Sequence, residues 1–298
     1  MKDTPLVTIY IPTYNRLNLL KRALESVVNQ TYQNLEIIVV DDNSSDGTQE
    51  FLINMASKDK RVSYIFKENN SGACVSRNLA IDKASGLFIT GLDDDDYFSL
   101  DRIERLVSKS HLLAKYVFLY TYYLTLVNGG KYKKVRFLNP ILPKTITRKD
   151  LLHKNIIGNQ CFTYTARLRE AGKFSPEMPA WQDMELFYRL LAYSELDKAY
   201  LINMPLYFQD TSHDMSRITL SNKKKIYNAY ELFCQKNSIN DRERKILKAQ
   251  LISYGIKVEY TSLFHRLATN TKLYFYLVDA FLFIKNVSNE KSYDKNMG

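Results

Sequence analysis

The sequence predicts an α/β fold with a mostly parallel central sheet flanked by helices and a helical C-terminal extension. Three observations predict it. Short β-branched runs alternate with helix-spaced apolar patterns from residue 6 to about 115. The runs are near-continuously apolar, as strands buried on both faces require. Clusters of polar residues follow three of them, where ligands gather at the carboxyl ends of parallel strands.

The expected strands are Val7–Ile11, Leu35–Val40, Val62–Phe66 and Leu87–Leu92. Between them, Leu19–Val28, Thr48–Met55 and Ala73–Ala84 carry apolar residues at helical spacing. Ser99 is expected to cap a helix reaching Ala114. Tyr116–Val127, a turn at Asn128-Gly129-Gly130-Lys131, and Tyr132–Phe137 read as an antiparallel hairpin. Trp181–Ala192 reads as a helix with Asp183 in its first turn, and Leu201–Phe208 as a strand broken at Pro205. The last third is mostly helical, and no internal repeat is visible.

A chain of 298 residues, 45% hydrophobic and 25% charged, has enough apolar residues for one large core or two modest ones. Cys74, Cys161 and Cys234 lie far apart, with no CxxC pair and no histidine at metal spacing. They read as buried or incidental thiols of a reducing compartment. The first five residues lack a charged-then-apolar leader, so no secretion is expected. Residues 216–298 hold 15 Lys/Arg against 7 Asp/Glu, which is +8 of the net +10. A basic tail suits an anionic surface. The apolar tract from Leu273 to Ile284 is interrupted by Asp279 and falls short of the roughly 20 residues that span a bilayer. It fits lying on a membrane, not crossing one.

Four polar segments bear on chemistry. Asp93-Asp94-Asp95-Asp96 exceeds what helix capping explains, since like charges this close raise one another's pKa unless a cation shares them. A hard dication with oxygen ligands, itself holding a phosphate, reverses that penalty. In extended chain Asp93 and Asp95 would point to one side. Pro12-Thr13-Tyr14-Asn15-Arg16 offers a hydroxyl and an aromatic face for a base, and equally an ordinary turn and cap. It has no GxGxxG. Asp41-Asp42-Asn43-Ser44-Ser45-Asp46-Gly47-Thr48 is either an Asx-rich turn or a place where a carboxylate meets a base imide. Asn70–Asn78 puts glycine at a helix start and Arg77 one turn in, suited to phosphate or to a solvated surface helix.

These motifs, in this order, resemble bacterial family 2 glycosyltransferases with the GT-A (nucleotide-diphospho-sugar transferase) fold, over about residues 5–220. The resemblance implies a UDP-sugar donor held with Mg²⁺ or Mn²⁺. It places the family's Asp-x-Asp motif on Asp93-Asp94-Asp95, with Asp95 as the direct metal ligand. Pro12, Thr13, Tyr14, Arg16, Asp41, Asp42, Arg77, Asp93 and Asp94 would bind the nucleotide-sugar, Asp41 beside the base. The family's Glu-Asp pair falls on Gln182-Asp183, so Asp183 maps to the catalytic base while Gln182 replaces the acid. Trp181 beside it is a stacking candidate or core. His213 or Arg217, in a segment like the family's donor-closing loop, would touch the diphosphate or acceptor.

The implied organisation is a catalytic domain over 1–215, with a nucleotide-binding half to about 98 and an acceptor half beyond, then a basic helical region over 216–298. The expected reaction is inverting transfer of one sugar to a hydroxyl of a glycan acceptor, polyprenyl-diphosphate-linked, as in O-antigen or capsule assembly. Processive synthases of the family carry membrane spans and Gln-x-x-Arg-Trp, both missing from this sequence. The expected location is cytoplasmic, with the basic tail either resting peripherally on an anionic membrane surface at the inner face or forming a helical bundle whose Lys and Arg face water. Two other classes compete. A nucleotidyltransferase would want a Gly-rich, Lys/Arg-bearing first loop, which is missing. A non-catalytic nucleic-acid binder would want its basic charge at the aspartates rather than in the tail, so no nucleic-acid partner is expected.

Overall fold

The computed structural model describes residues 4–127, 131–133, 142–212, 222–269, 272–282 and 284. The first sheet runs in the order β3-β2-β1-β4-β9. Its members are β1 (Val7–Thr13), β2 (Leu35–Asp41), β3 (Val62–Phe66), β4 (Phe88–Gly91) and β9 (Thr163–Tyr164). The first four are parallel, and β9 joins antiparallel. Every residue of β1 is buried, which is why its pattern does not alternate. The connecting helices are α1 (Leu17–Val28), α2 (Thr48–Lys58) and α3 (Ala73–Lys83). Helix α1 turns Leu20, Ala23, Leu24 and Val27 inward at helical spacing. Because β2 and β4 flank β1 on opposite sides, strand order reverses at β1. A crevice opens there at the carboxyl ends.

Gly91 ends β4 for a steric reason. A Cβ there would lie 2.3 Å from both Gln160 Oε1 and the Tyr10 ring. Only glycine lets these two side chains pass over the strand end, and Gln160 thereby reaches the site.

The second sheet is β5-β10-β6-β7, and β8 also pairs with β10, on the edge opposite β6. Its strands are β5 (Tyr97–Phe98), β6 (Leu119–Val127), β7 (Lys131–Lys133), β8 (Thr145–Thr147) and β10 (Lys198–Asp210). Three sequence expectations change here. The run from Ser99 is two pieces, α4 (Arg102–Ser108) and a 3-10 turn (Ser110–Ala114), and α4 starts after Asp101. Ser99 donates its hydroxyl to the Asp101 carboxylate instead of capping. Pro205 does not break its strand: β10 runs 13 residues and absorbs the missing N–H in register shifts around Pro205. The hairpin arms β6 and β7 do pair antiparallel, while its turn and residues 134–137 lie outside the described residues.

Helices α5 (Arg148–His153), α6 (Thr165–Glu170) and α7 (Gln182–Tyr193) follow. Then come α8 (Lys223–Lys236), α9 (Asp241–Lys248), α10 (Tyr260–Thr269) and a helical run over 273–282. One buried cluster holds Phe118 and Phe187 together with Phe233, Leu247 and Phe275, so the C-terminal helices share a core with the sheet. Buried Arg266 pairs with Asp279, whose other oxygen lies 3.0 Å from His153 Nδ1. That cluster pins the last helices to α5. All three cysteines are buried free thiols, their pKa values raised by burial.

Candidate active site

The crevice is about 450 Å³ and is bounded by the ends of β1, β2 and β4, the start of α3, and the start of α7. The aspartate quartet forms its floor. It is not extended: Asp96 N–H donates to Asp93 O at 3.1 Å, closing a turn. That turn, rather than strand alternation, gathers Asp93, Asp95 and Asp96. Their carboxylate oxygens lie within 4.8 Å of one another. Among the described residues this is the acidic group with metal-binding spacing. Its all-oxygen donor set suits a hard dication such as Mg²⁺ or Mn²⁺.

The fourth carboxylate, Asp94, stands outside that group. Asp94 accepts from Thr13 Oγ1 at 2.9 Å and from Arg16 Nη1 at 3.1 Å, and the same nitrogen lies 3.2 Å from Asp95 Oδ2. Burial pushes Asp94 up to about 6 against the pull of Arg16. Asp96 is raised well above the carboxylate range by burial and by Asp95 and Asp93. The cluster is thus short of positive charge as it stands.

Several of its partners carry no motif. Asn159 Nδ2 donates to Asp93 at 2.6 Å and to Asp96 at 3.2 Å. Tyr207 donates its phenol to Asp96 at 2.7 Å, and the Asp210 N–H donates to the other oxygen. Arg22 holds the Asp95 carbonyl at 2.6 Å and Asp210 at 2.5 Å. These side chains come from β10, α1 and the loop before β9, so no local spacing could have revealed them.

Across the crevice, Asp183 sits one residue into α7. Its Oδ1 is shielded from solvent and has no hydrogen-bond partner. Burial raises its pKa to about 7, with Arg77 opposing and Asp93 adding to the rise. Buried Arg77 links the two walls: Nη2 donates to Asp93 at 2.8 Å, and Nη1 to Gln182 Oε1 at 3.4 Å. Trp181 precedes α7 in the left-handed region, at φ 61°.

Sequence expectations and placement can be compared at Asp41, Asp42, Thr13 and Trp181. Asp41 is fully buried and accepts from Ser44 N–H and Gln49 Nε2, so its carboxylate stabilises its own turn and not the crevice wall. Asp42 lines the wall, but accepts from Ser71 N–H, Gly72 N–H and Lys67. The Thr13 hydroxyl is engaged by Asp94 instead of pointing to a base. The Trp181 indole packs against Phe233 and Tyr254 and donates to the Tyr254 hydroxyl, which makes it mostly core. His213 and Arg217 lie outside the described residues. Pro12, the exposed Tyr14, Arg16, Arg77, Asp93–Asp96, Gln182 and Asp183 do come together around the crevice. Asn15, Ser44 and Asp46 are turn builders: Asn15 N–H bonds Ser44 Oγ, and Asp46 accepts from Leu17 N–H.

A parallel sheet with an acidic group at its switch point and a carboxylate on the facing helix fits the GT-A class of glycosyltransferases, to which sequence and structural relatives assign the fold. Residues 8–172 match Glycosyl transferase family 2, and the chain belongs to that family. Over 238 residues it is 37% identical to WcaA of Escherichia coli strain K12, named for colanic acid biosynthesis, covering 80% of this chain and 83% of that one. It is 31% identical to TuaG of Bacillus subtilis strain 168, named for teichuronic acid biosynthesis, covering 63% of this chain and 72% of that one. The fold superposes on S. aureus TarS 1–349 in complex with UDP-GlcNAc with a TM-score of 0.65 at 18% identity, covering 97% and 92% of the two chains. The chain is therefore an enzyme, a glycosyltransferase rather than a nucleotidyltransferase or a non-catalytic protein. Among the described residues no helix is long and apolar enough to cross a membrane.

Proposed function

We propose that the chain transfers one sugar, with inversion, from a UDP-sugar to a hydroxyl of a lipid-diphosphate-linked glycan during surface-polysaccharide assembly. The observation that carries this is the buried, unpartnered Asp183 Oδ1 facing the acidic cluster across the crevice. A carboxylate with a pKa near working pH and one oxygen without a donor is suited to take a proton from an incoming hydroxyl. Asp183 removes that proton as the acceptor oxygen attacks the anomeric carbon from the face opposite the nucleotide. An α-linked donor thereby gives a β-linkage. Tyr14 and the Asp42 wall border the nucleotide, Arg77 faces the diphosphate and fixes Asp93, and Gln182 orients Arg77 in place of a second acid. A divalent cation, Mg²⁺ or Mn²⁺, held by Asp95 with Asp93 and Asp96 beside it, supplies positive charge against the leaving diphosphate.

The pH profile tests the base. In the free enzyme the acid limb of kcat/KM reports the base. Asp183 must be ionised, so kcat/KM should fall about tenfold per pH unit below its pKa of about 7. A profile flat down to pH 5 would remove Asp183 from the role.

The acceptor reading is supported by a relative from Campylobacter jejuni, 32% identical over 174 residues, named a GalNAc(5)-diNAcBac-PP-undecaprenol β-1,3-glucosyltransferase. The names of WcaA and TuaG point to surface polysaccharides too. We place residues 1–215 as the catalytic part and 216–298 as the part that rests on the inner membrane face. The run 273–282 buries Tyr274, Phe275, Val278 and Leu282, and exposes Leu273, Tyr276, Leu277 and Phe281 on its other side. An exposed apolar stripe within a region of net charge +8 suits an anionic phospholipid surface. The chain is expected to float with liposomes containing anionic phospholipid, and to lose most of that binding in 0.5 M salt or as Leu277→Asp/Phe281→Asp. Equal recovery of the native and doubly substituted chains would end the membrane reading.

A further inference from the structure

Among the described residues, the Arg16 side chain touches both Asp94 and Asp95. A single nitrogen, Nη1, lies 3.1 Å from Asp94 and 3.2 Å from Asp95. Its side chain is partly exposed at the crevice, whereas Arg77, which holds Asp93, is buried. Arg16 is fixed by its backbone at the end of β1, where it precedes α1, and its long side chain is the movable part. Asp94 is held independently by Thr13, so it keeps its position whichever way Arg16 turns. Asp95 belongs to the group of three carboxylates that offers a dication its oxygens. Arg16 and a dication therefore call on the same carboxylate.

We propose that Arg16 is an internal counter-cation that couples metal binding to donor binding. Without ligand it neutralises Asp95. When a nucleoside diphosphate and a dication arrive together, the dication takes over Asp95. The guanidinium, still tethered to Asp94, passes to the diphosphate oxygens, for which its forked N–H groups are matched. Metal alone binds poorly because it must displace a guanidinium. Diphosphate alone binds poorly because Asp95 retains its arginine. Each makes the other's site available, and the coupling is reciprocal. The same pairing also limits the repulsion in the empty cluster, which explains how four aspartates are tolerated at the end of one strand. Arg16 is a positioning residue here, and the inference rests on reading Asp95 as a metal ligand.

Calorimetric titration of Mn²⁺ separates the two. UDP or GDP is used, whichever raises the unfolding temperature more in the presence of Mn²⁺. In the native chain, saturating nucleotide should tighten Mn²⁺ at least about tenfold. In Arg16→Gln, Mn²⁺ alone should bind about tenfold tighter than to the native chain, while nucleotide without metal binds weaker. Arg16→Lys keeps the charge and should bind Mn²⁺ alone as the native chain does. A merely structural role for Arg16 would weaken Mn²⁺, not tighten it. Unchanged or weaker Mn²⁺ binding by Arg16→Gln overturns the coupling while leaving Asp95 as ligand. No Mn²⁺ binding by the native chain, even with nucleotide, overturns the Asp95 assignment and the coupling with it. Should Arg16→Gln fail to fold, equal Mn²⁺ affinities with and without nucleotide in the native chain overturn the proposal.

Discussion

Replacing Asp183 by asparagine is expected to lower turnover by about 10²-fold or more while donor binding is kept, the usual scale for a positioned base. Asparagine has nearly the same shape but cannot accept a proton at working pH. The loss should therefore appear in kcat rather than in KM for the donor. Stability should move the other way, which separates lost chemistry from lost fold. The folded pKa of Asp183 is raised to about 7, so the protein tolerates its neutral form better than its charged form. Above that pH the ionised carboxylate costs stability relative to the unfolded chain, where it ionises freely. Asp183→Asn at pH 8 should accordingly unfold at the same temperature as the native chain, or higher. Wild-type-like turnover in this variant would mean that another group takes the proton.

Asp95→Ala has the second large effect. Metal-dependent nucleotide binding should weaken by tenfold or more, and transfer should fall by about 10²-fold or beyond, because the leaving diphosphate loses its counter-charge. Here too the ligand-free fold should not suffer. Asp95 raises the pKa of both Asp94 and Asp96, so removing it relieves like-charge repulsion in the cluster. Arg22 still has the backbone carbonyl of residue 95 and the Asp210 carboxylate to bond. Calorimetry showing unchanged nucleotide affinity in the presence of Mn²⁺ would contradict the assignment.

Both experiments address residues that sequence singled out. A run of four acids is legible from adjacent residues. Asp183, by contrast, stood out only through the resemblance to family 2 glycosyltransferases, since an acid in a first helical turn is by itself an ordinary dipole partner. The helix start at Thr48 and the end of β3 at Phe66 are legible as the acid run is, since apolar periodicity and turn chemistry act within a few residues. Where a long-range contact decides, sequence reading goes astray. The resemblance implied Asp41 beside a base, while its residues alone left an Asx-rich turn equally open. The fold turns it into its own loop and gives the wall to Asp42. Trp181 was open between sugar and core. Residues 233 and 254, more than fifty positions away, fill the space around it.

The sequence by itself determined the alternating α/β plan, the carboxyl-end location of the polar motifs, and the presence of an acidic cluster too dense for capping. Those properties follow from which residues are neighbours along the chain. The tertiary structure alone decided that a turn, not an extended strand, gathers Asp93, Asp95 and Asp96. It also decided that Asn159, Tyr207 and Arg22 hold them, and that the Asp183 Oδ1 atom is shielded from solvent without a donor. A carboxylate's pKa and a cation's nearest partner depend on desolvation and distance, and both are set only when segments far apart in sequence are packed together.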